Sequence, residues 1–154
     1  MSQQPPPLPS EKVLEKVLIA DDDAVVVKAL SGKLSSRGYR VCSATDGTST
    51  VKAVRVEKPD LIILDITFPP DTGVPWDGFR LMEWLRRLEE SRHIPIICIS
   101  GGDAEKLKAR ALAGGAEAYF PKPVDFEQLF AAMRKILTTT APPHPGSTGG
   151  TPQS

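Results

Sequence analysis

Short apolar runs alternate along this chain with segments in which apolar residues recur every three or four positions. The runs KVLIA (16–20), YRVCSA (39–44), DLIILD (60–65), IPIICIS (94–100) and AYFP (118–121) have the length and continuity of buried strands. Between them Val26, Leu30 and Leu34 fall at i, i+4 and i+8, and Leu81, Leu85 and Leu88 follow a similar spacing. After the last run, Phe126, Leu129, Phe130, Met133, Ile136 and Leu137 form a broad helical stripe. Segments 46–56 and 104–113 have weaker helical patterns, and Gly38 and the Gly114, Gly115 pair stand where helices should stop. Five repetitions of strand then helix predict an α/β fold built on a five-stranded parallel sheet. Such strands need crossover helices and are buried on both faces.

Composition changes at both ends. Residues 1–14 carry Pro5, Pro6, Pro7, Leu8 and Pro9, and 139–154 is made almost entirely of Pro, Gly, Ser and Thr. Neither end has enough apolar surface to offset the entropy of ordering, so we expect two disordered tails flanking one domain at 15–138. The PPPLP run has the composition of a polyproline ligand, although a flexible leader is the simpler and preferred reading. No apolar run reaches membrane-spanning length, and no basic start with an apolar core marks a secretory signal. With 19 basic and 19 acidic side chains the formal net charge is zero, which argues against nucleic acid as a direct partner. Cys42 and Cys98 lack metal-type spacing and are expected as reduced thiols in or near the core, as in the cytoplasm.

The stretch VLIADDDA, 17–24, ends a predicted strand on Asp21, Asp22 and Asp23. Two like charges about 4 Å apart repel by roughly 4 kcal/mol at an effective dielectric near 20, so the cluster needs relief. Solvation, a helix cap or a divalent cation could each supply it, and Asp23, directly before the next helix, is the natural N-cap. The other strand ends favour a cation for the remaining pair. Asp65 ends the third run, Ser100 the fourth, and Lys122 follows the fifth. In open α/β sheets the ligand site lies beyond the carboxyl ends of the strands, so these polar groups should converge. Carboxylates of this kind suit Mg²⁺, a hard cation that takes oxygen ligands and retains exchangeable waters. Asp65, ionised at neutral pH, could then attack phosphorus as a carboxylate nucleophile, with Lys122 and the cation neutralising the transferred group.

The set VLIADDD, LIILDITFP, ICISGG and YFPKPV resembles the receiver domain of two-component response regulators, the chemotaxis regulator among them, over about 120 residues. The resemblance implies a doubly wound, flavodoxin-like (βα)5 fold with strand order 2-1-3-4-5. It implies that Asp65 accepts phosphate from a histidine kinase or a histidine phosphotransfer protein. The protein would be a signalling switch that catalyses only its own phosphorylation and dephosphorylation. Asp22 and Asp65 would hold Mg²⁺ directly, Asp21 largely through water, and Thr67 through its backbone carbonyl. Ser100 and Lys122 match the hydroxyl and lysine of the family, Tyr119 falls on the switch aromatic, and Lys122-Pro123 is expected to be cis.

The chain departs from the family pattern beside the acceptor. Pro69 lies four residues after Asp65 as in relatives, but Asp77-Gly78 come twelve and thirteen after it, five later than usual, which lengthens the loop around PDTGVPW. Thr67 and Gly102 fall at positions that resemble those tuning phosphate lifetime. Trp76 and Trp84 are expected to serve packing, and neither His93 nor His144 has the setting of a phosphotransfer histidine. The segment after 138 contains no recognisable output module, so the expectation is a single-domain regulator, monomeric or weakly dimeric, that signals by binding a downstream protein or by onward phosphotransfer. Two rivals stand beside it: a receiver-like docking module that is never phosphorylated, and a phosphatase of the haloacid dehalogenase type. The second requires an aspartate two residues after the nucleophile, where this chain has Thr67.

Overall fold

A computed structural model describes residues 15–67, 78–101 and 104–140. The expectations for residues 1–14 and 141–154, for Pro69, Trp76, Asp77 and the lengthened loop, and for Gly102 lie outside the described residues, as does His144. Strands and helices alternate in the order β1 (Lys16–Ala20), α1 (Ala24–Ser36), β2 (Arg40–Ala44), α2 (Gly47–Glu57), β3 (Leu61–Asp65), α3 (Gly78–Arg87), β4 (Ile96–Ser100), α4 (Ala104–Ala113), β5 (Ala118–Pro121) and α5 (Phe126–Thr140). The five strands form one parallel sheet in the order β2-β1-β3-β4-β5, so the expected doubly wound topology is observed.

Strand alternation sorts the core into two layers. Leu18, Ala20, Ile62, Leu64 and Cys98 point to one face with Val54 of α2, Leu81, Met82 and Leu85 of α3 and Ala111 of α4. Val17, Ile19, Ile63, Ile97 and Ile99 point to the other, against Leu30 and Leu34 of α1 and Leu129, Phe130 and Met133 of α5. Every residue of β3 and β4 is buried, as expected of central parallel strands.

Element ends differ from the sequence expectation where side chains or turns replace ladder bonds. Tyr39 lies before β2 because its amide closes the end of α1 on the Leu34 carbonyl at 3.1 Å. Asp60 lies before β3, where its carboxylate accepts the Lys16 amide at 2.8 Å. Ile94 and Pro95 precede β4; proline has no amide to donate, although its carbonyl still accepts from Ile62 at 3.0 Å. The third helix ends at Arg87, and the Leu88 carbonyl turns to the Ser91 and Arg92 amides at 3.1 and 2.8 Å. Met82, not Leu88, completes its buried stripe. The last helix runs two residues past the boundary expected at 138.

The caps follow ordinary chemistry. Asp23 is the N-cap of α1, its side chain accepting from the Val25 amide at 2.9 Å. Asp46 caps α2 through a reciprocal pairing with Ser49, and those hydrogen bonds hold its carboxyl below the usual range. Both cysteines are free thiols: Cys98 is buried and its pKa is pushed to about 12 by that burial, which keeps it protonated and unreactive. Trp84 is 40% exposed on α3.

Candidate functional site

The parallel register carries the strand ends to one edge of the sheet. Asp65 pairs with Ile99 and Ser100 with Pro121, so the residues that end β3 and β4 and the residue after β5 arrive side by side. The Lys122 amide donates to the Ser100 carbonyl at 2.8 Å, extending the ladder by one step. The Lys122-Pro123 bond is cis. On the other side of β3, the Asp21 amide donates to the Ala44 carbonyl at 3.1 Å and holds the acidic turn against β2.

At this edge one oxygen of each of Asp21, Asp22 and Asp65 lies within 4.8 Å of the others. Asp21 and Asp65 are buried, whereas Asp22 faces solvent. The Lys122 ammonium stands between the two buried carboxylates, 2.9 Å from Asp21 Oδ2 and 3.1 Å from Asp65 Oδ2. Burial alone would lower the Lys122 pKa, but the Asp21 and Asp65 carboxylates outweigh it and raise the value, so the ammonium stays charged. Burial raises the Asp21 pKa, opposed by the Asp23 amide, which donates to Oδ1 at 2.8 Å, and by Lys122.

Asp65 is held at both oxygens. Its Oδ1 accepts from the Thr67 amide at 2.9 Å and the Thr67 hydroxyl at 2.6 Å, and its Oδ2 accepts from Lys122. The Thr67 hydroxyl contact was not anticipated from the sequence, where Thr67 was expected to offer its backbone carbonyl to Mg²⁺ and to sit at a position resembling those that tune phosphate lifetime. A hydroxyl two residues after a strand-ending aspartate is the signal that could have found it.

Gly78 is a second omission. A Cβ built there would lie 2.2 Å from the Ile66 Cα, so α3 begins in backbone contact with the residue that follows Asp65. Ser100 is fully buried at the end of β4. Tyr119 is 7% exposed, and its buried hydroxyl has no hydrogen-bond partner among the described residues. His93 is exposed and stands apart from this edge, just ahead of β4.

The residues present suit a divalent cation. All three clustered side chains offer hard carboxylate oxygens, and buried Asp21 Oδ2 receives no well-directed hydrogen bond from the described residues despite its charge contact with Lys122.

Comparison with known proteins agrees with this arrangement. The family described as "Response regulator receiver domain" matches residues 17–134. The response regulator MprA of Mycolicibacterium vanbaalenii is 32% identical over 127 residues, covering 82% of this chain and 52% of its own. The chain thus spans about half the length of the curated relatives it matches. Among solved structures, the receiver domain of Francisella response regulator 1452 superposes with a TM-score of 0.71 at 26% identity, over 82% of this chain and 98% of that one. A CheY-like receiver domain protein from Methanospirillum hungatei gives 0.73 at 25% identity, over 83% and 97%. This membership sets aside the dehalogenase-type alternative, and with the five-stranded order and the clustered strand-end residues it leads to one conclusion: the chain belongs to the response regulator receiver domain family.

Proposed function

We propose that Asp65 accepts a phosphoryl group from a phosphohistidine on a kinase or phosphotransfer protein, and that the phosphorylated domain signals through protein contact or onward phosphotransfer. The observation that carries this reading is the Lys122 ammonium bridging Asp21 and Asp65 at 2.9 and 3.1 Å. It places a fixed positive charge beside the one buried carboxylate that ends a central strand. In the transfer, an Asp65 oxygen forms the new O–P bond as the P–N bond to imidazole breaks, and the electron pair stays on the departing nitrogen. Lys122 is positioned to follow the charge from the free carboxylate to the phosphoryl oxygens.

Asp21, Asp22, Asp65 and the backbone carbonyl of Thr67 would hold Mg²⁺. The ion, when bound, supplies positive charge against the phosphoryl oxygens. The donor set supports this assignment, because three carboxylates in such proximity need more compensation than one ammonium gives. The buried Ser100 at the adjacent strand end is placed to donate to the new phosphoryl group. Movement of Ser100 would then be felt along the sheet at Tyr119, whose hydroxyl gives up little on moving because it has no partner to lose among the described residues. Phosphorylation thus shifts an equilibrium between two surface states.

We read the receiver domain as a switch that works in the cytoplasm as a monomer or weak dimer. No helix among the described residues is long and apolar enough to cross a membrane. Incubation with acetyl phosphate and Mg²⁺ followed by intact mass spectrometry tests the reading. A gain of one phosphoryl group in the native chain and none in Asp65→Asn supports it. An unlabelled native chain under conditions that label another receiver favours a docking module instead.

A further inference from the structure

We propose that the groove between α3 and α4 docks an acidic segment of a partner protein that also presents an apolar side chain. The groove encloses about 510 Å³ and is lined from α3 by Phe79, Met82, Glu83, Arg86 and Arg87, and from the far end of α4 by Arg110 with Ala113 and Gly114. The α3 residues fall at i, i+3, i+4, i+7 and i+8, so one face of that helix forms a continuous wall. The opposite wall is low because it is built of small residues, and the Met82 Cε rests where a Cβ on Gly114 would be, 2.7 Å away.

The charges on this groove do not balance. Arg86 is committed to the fold: its guanidinium donates to the carbonyls of Arg92, Ile94 and Gly115 at 3.2, 2.8 and 2.9 Å. Arg87 pairs with Glu83, the only carboxylate in the lining among the described residues, at 3.5 Å with both side chains exposed. Arg110 Cζ lies over the Phe79 ring, 3.9 Å from its centroid, and makes no ion pair among the described residues. Two exposed guanidiniums therefore face a single carboxylate above an apolar floor. A planar guanidinium gains a stronger, bidentate interaction when a carboxylate replaces a ring as its partner. Release of Arg110 would also uncover Phe79 for an apolar side chain. A polynucleotide fits less well, since Glu83 opposes its phosphates and the chain as a whole carries no net charge.

The groove also communicates with the sheet. Phe79 directly follows Gly78, which packs on Ile66, and Met82 touches buried Cys98, whose thiol lies 3.8 Å from its sulfur and two positions before Ser100.

A fluorescein-labelled peptide in which glutamates flank two leucines serves as the probe, titrated into the full chain and followed by anisotropy. The expected result is saturable binding, weakened about tenfold by either Arg87→Ala or Arg110→Ala and less in Arg110→Lys, which keeps the charge but not the bidentate fork. Amide shifts in the bound form should centre on Ala113 and Gly114. Circular dichroism of each variant establishes that it is folded. Binding that is equal in the Arg87→Glu, Arg110→Glu double variant, shifts confined to another face, or no saturable binding at all would overturn the proposal. So would concentration-dependent self-association abolished by the same double variant, which would assign the groove to a second copy of this chain.

Discussion

The Lys122 ammonium and Asp65 Oδ2 lie 3.1 Å apart, although 57 residues separate them in the chain. A second carboxylate, Asp21, contacts the same ammonium at 2.9 Å. The three side chains form a charge-deficient centre: one cation against two buried anions, with Asp22 close by at the surface.

Replacing Lys122 by Met removes that one cation and leaves the two buried carboxylates facing each other. The Lys122 side chain is 21% exposed, so the loss should be smaller than for a fully buried pair, about 1–3 kcal/mol in urea unfolding without divalent cations. Because the folded-state pKa of Lys122 is raised, its contribution is fully present below the ordinary lysine value of 10.5 and is lost as pH climbs through the raised one. The deficit of the variant relative to the native chain should therefore shrink in strongly alkaline solution. Excess Mg²⁺ should recover part of it at neutral pH.

Asp21→Asn should have the opposite sign. Burial raises this carboxyl above its ordinary 3.8, so the folded chain binds the proton more tightly than the unfolded one. Ionisation of Asp21 then costs stability, and that cost grows as pH rises from 3.8 through the raised value. In chelator at neutral pH the Asn variant should melt at the same temperature as the native chain or higher. Asp46 slopes the other way, because its pKa is lowered, and cancels in the difference between the two proteins. Saturating Mg²⁺ should stabilise the native chain by about 2.7 kcal/mol at a hundredfold excess over its Kd, and the variant by less.

Thr67→Val tests the grip on the acceptor. The Thr67 hydroxyl donates to Asp65 Oδ1 at 2.6 Å, and a hydrogen bond to a carboxylate withdraws charge from the atom that must attack phosphorus. Its loss should speed phosphorylation by acetyl phosphate about three- to tenfold, equivalent to roughly 0.7–1.4 kcal/mol of barrier. The backbone amide bond at 2.9 Å remains, so the fold should not change. An equal or slower initial rate in stopped-flow fluorescence contradicts this.

Gly78→Ala forces a methyl group to within 2.2 Å of the Ile66 backbone. Backbone atoms yield poorly, and the substitution should cost about 2–4 kcal/mol in thermal or urea unfolding. Displacement of Ile66 should also slow phosphoryl transfer to the neighbouring Asp65. Gly101→Ala, at an exposed site on the other side of the edge, serves as the comparison and should have little effect on stability.

Much of this arrangement was legible because polar side chains stand at or just after the ends of β1, β3, β4 and β5. The runs ending at Asp65 and Ser100 are wholly apolar until their last residue, and Val17–Ala20 is followed at once by Asp21, so polar groups there stand out against a buried sheet. The cap on α1 was equally plain, since Asp23 directly precedes an amphipathic segment. The Arg86 clamp was not, because its three acceptors are carbonyls from loops whose path the sequence pattern does not reveal. Nor was the Gly78 contact with Ile66, which depends on how α3 seats against the sheet. Strand boundaries slipped by one or two residues at Tyr39, Asp60 and Ile94, where turn hydrogen bonds compete with the ladder.

The most direct test of the central claim is the identity of the carboxylate that carries phosphate. Phosphorylation with acetyl phosphate and Mg²⁺, followed by borohydride reduction, converts an acyl-phosphorylated aspartate to homoserine, which peptide mass spectrometry can locate. The account predicts homoserine at position 65 alone, and none in Lys122→Met samples that fail to phosphorylate. Homoserine at 21 or 22 instead, or an unreduced Asp65 in a chain that has gained a phosphoryl group, would contradict it.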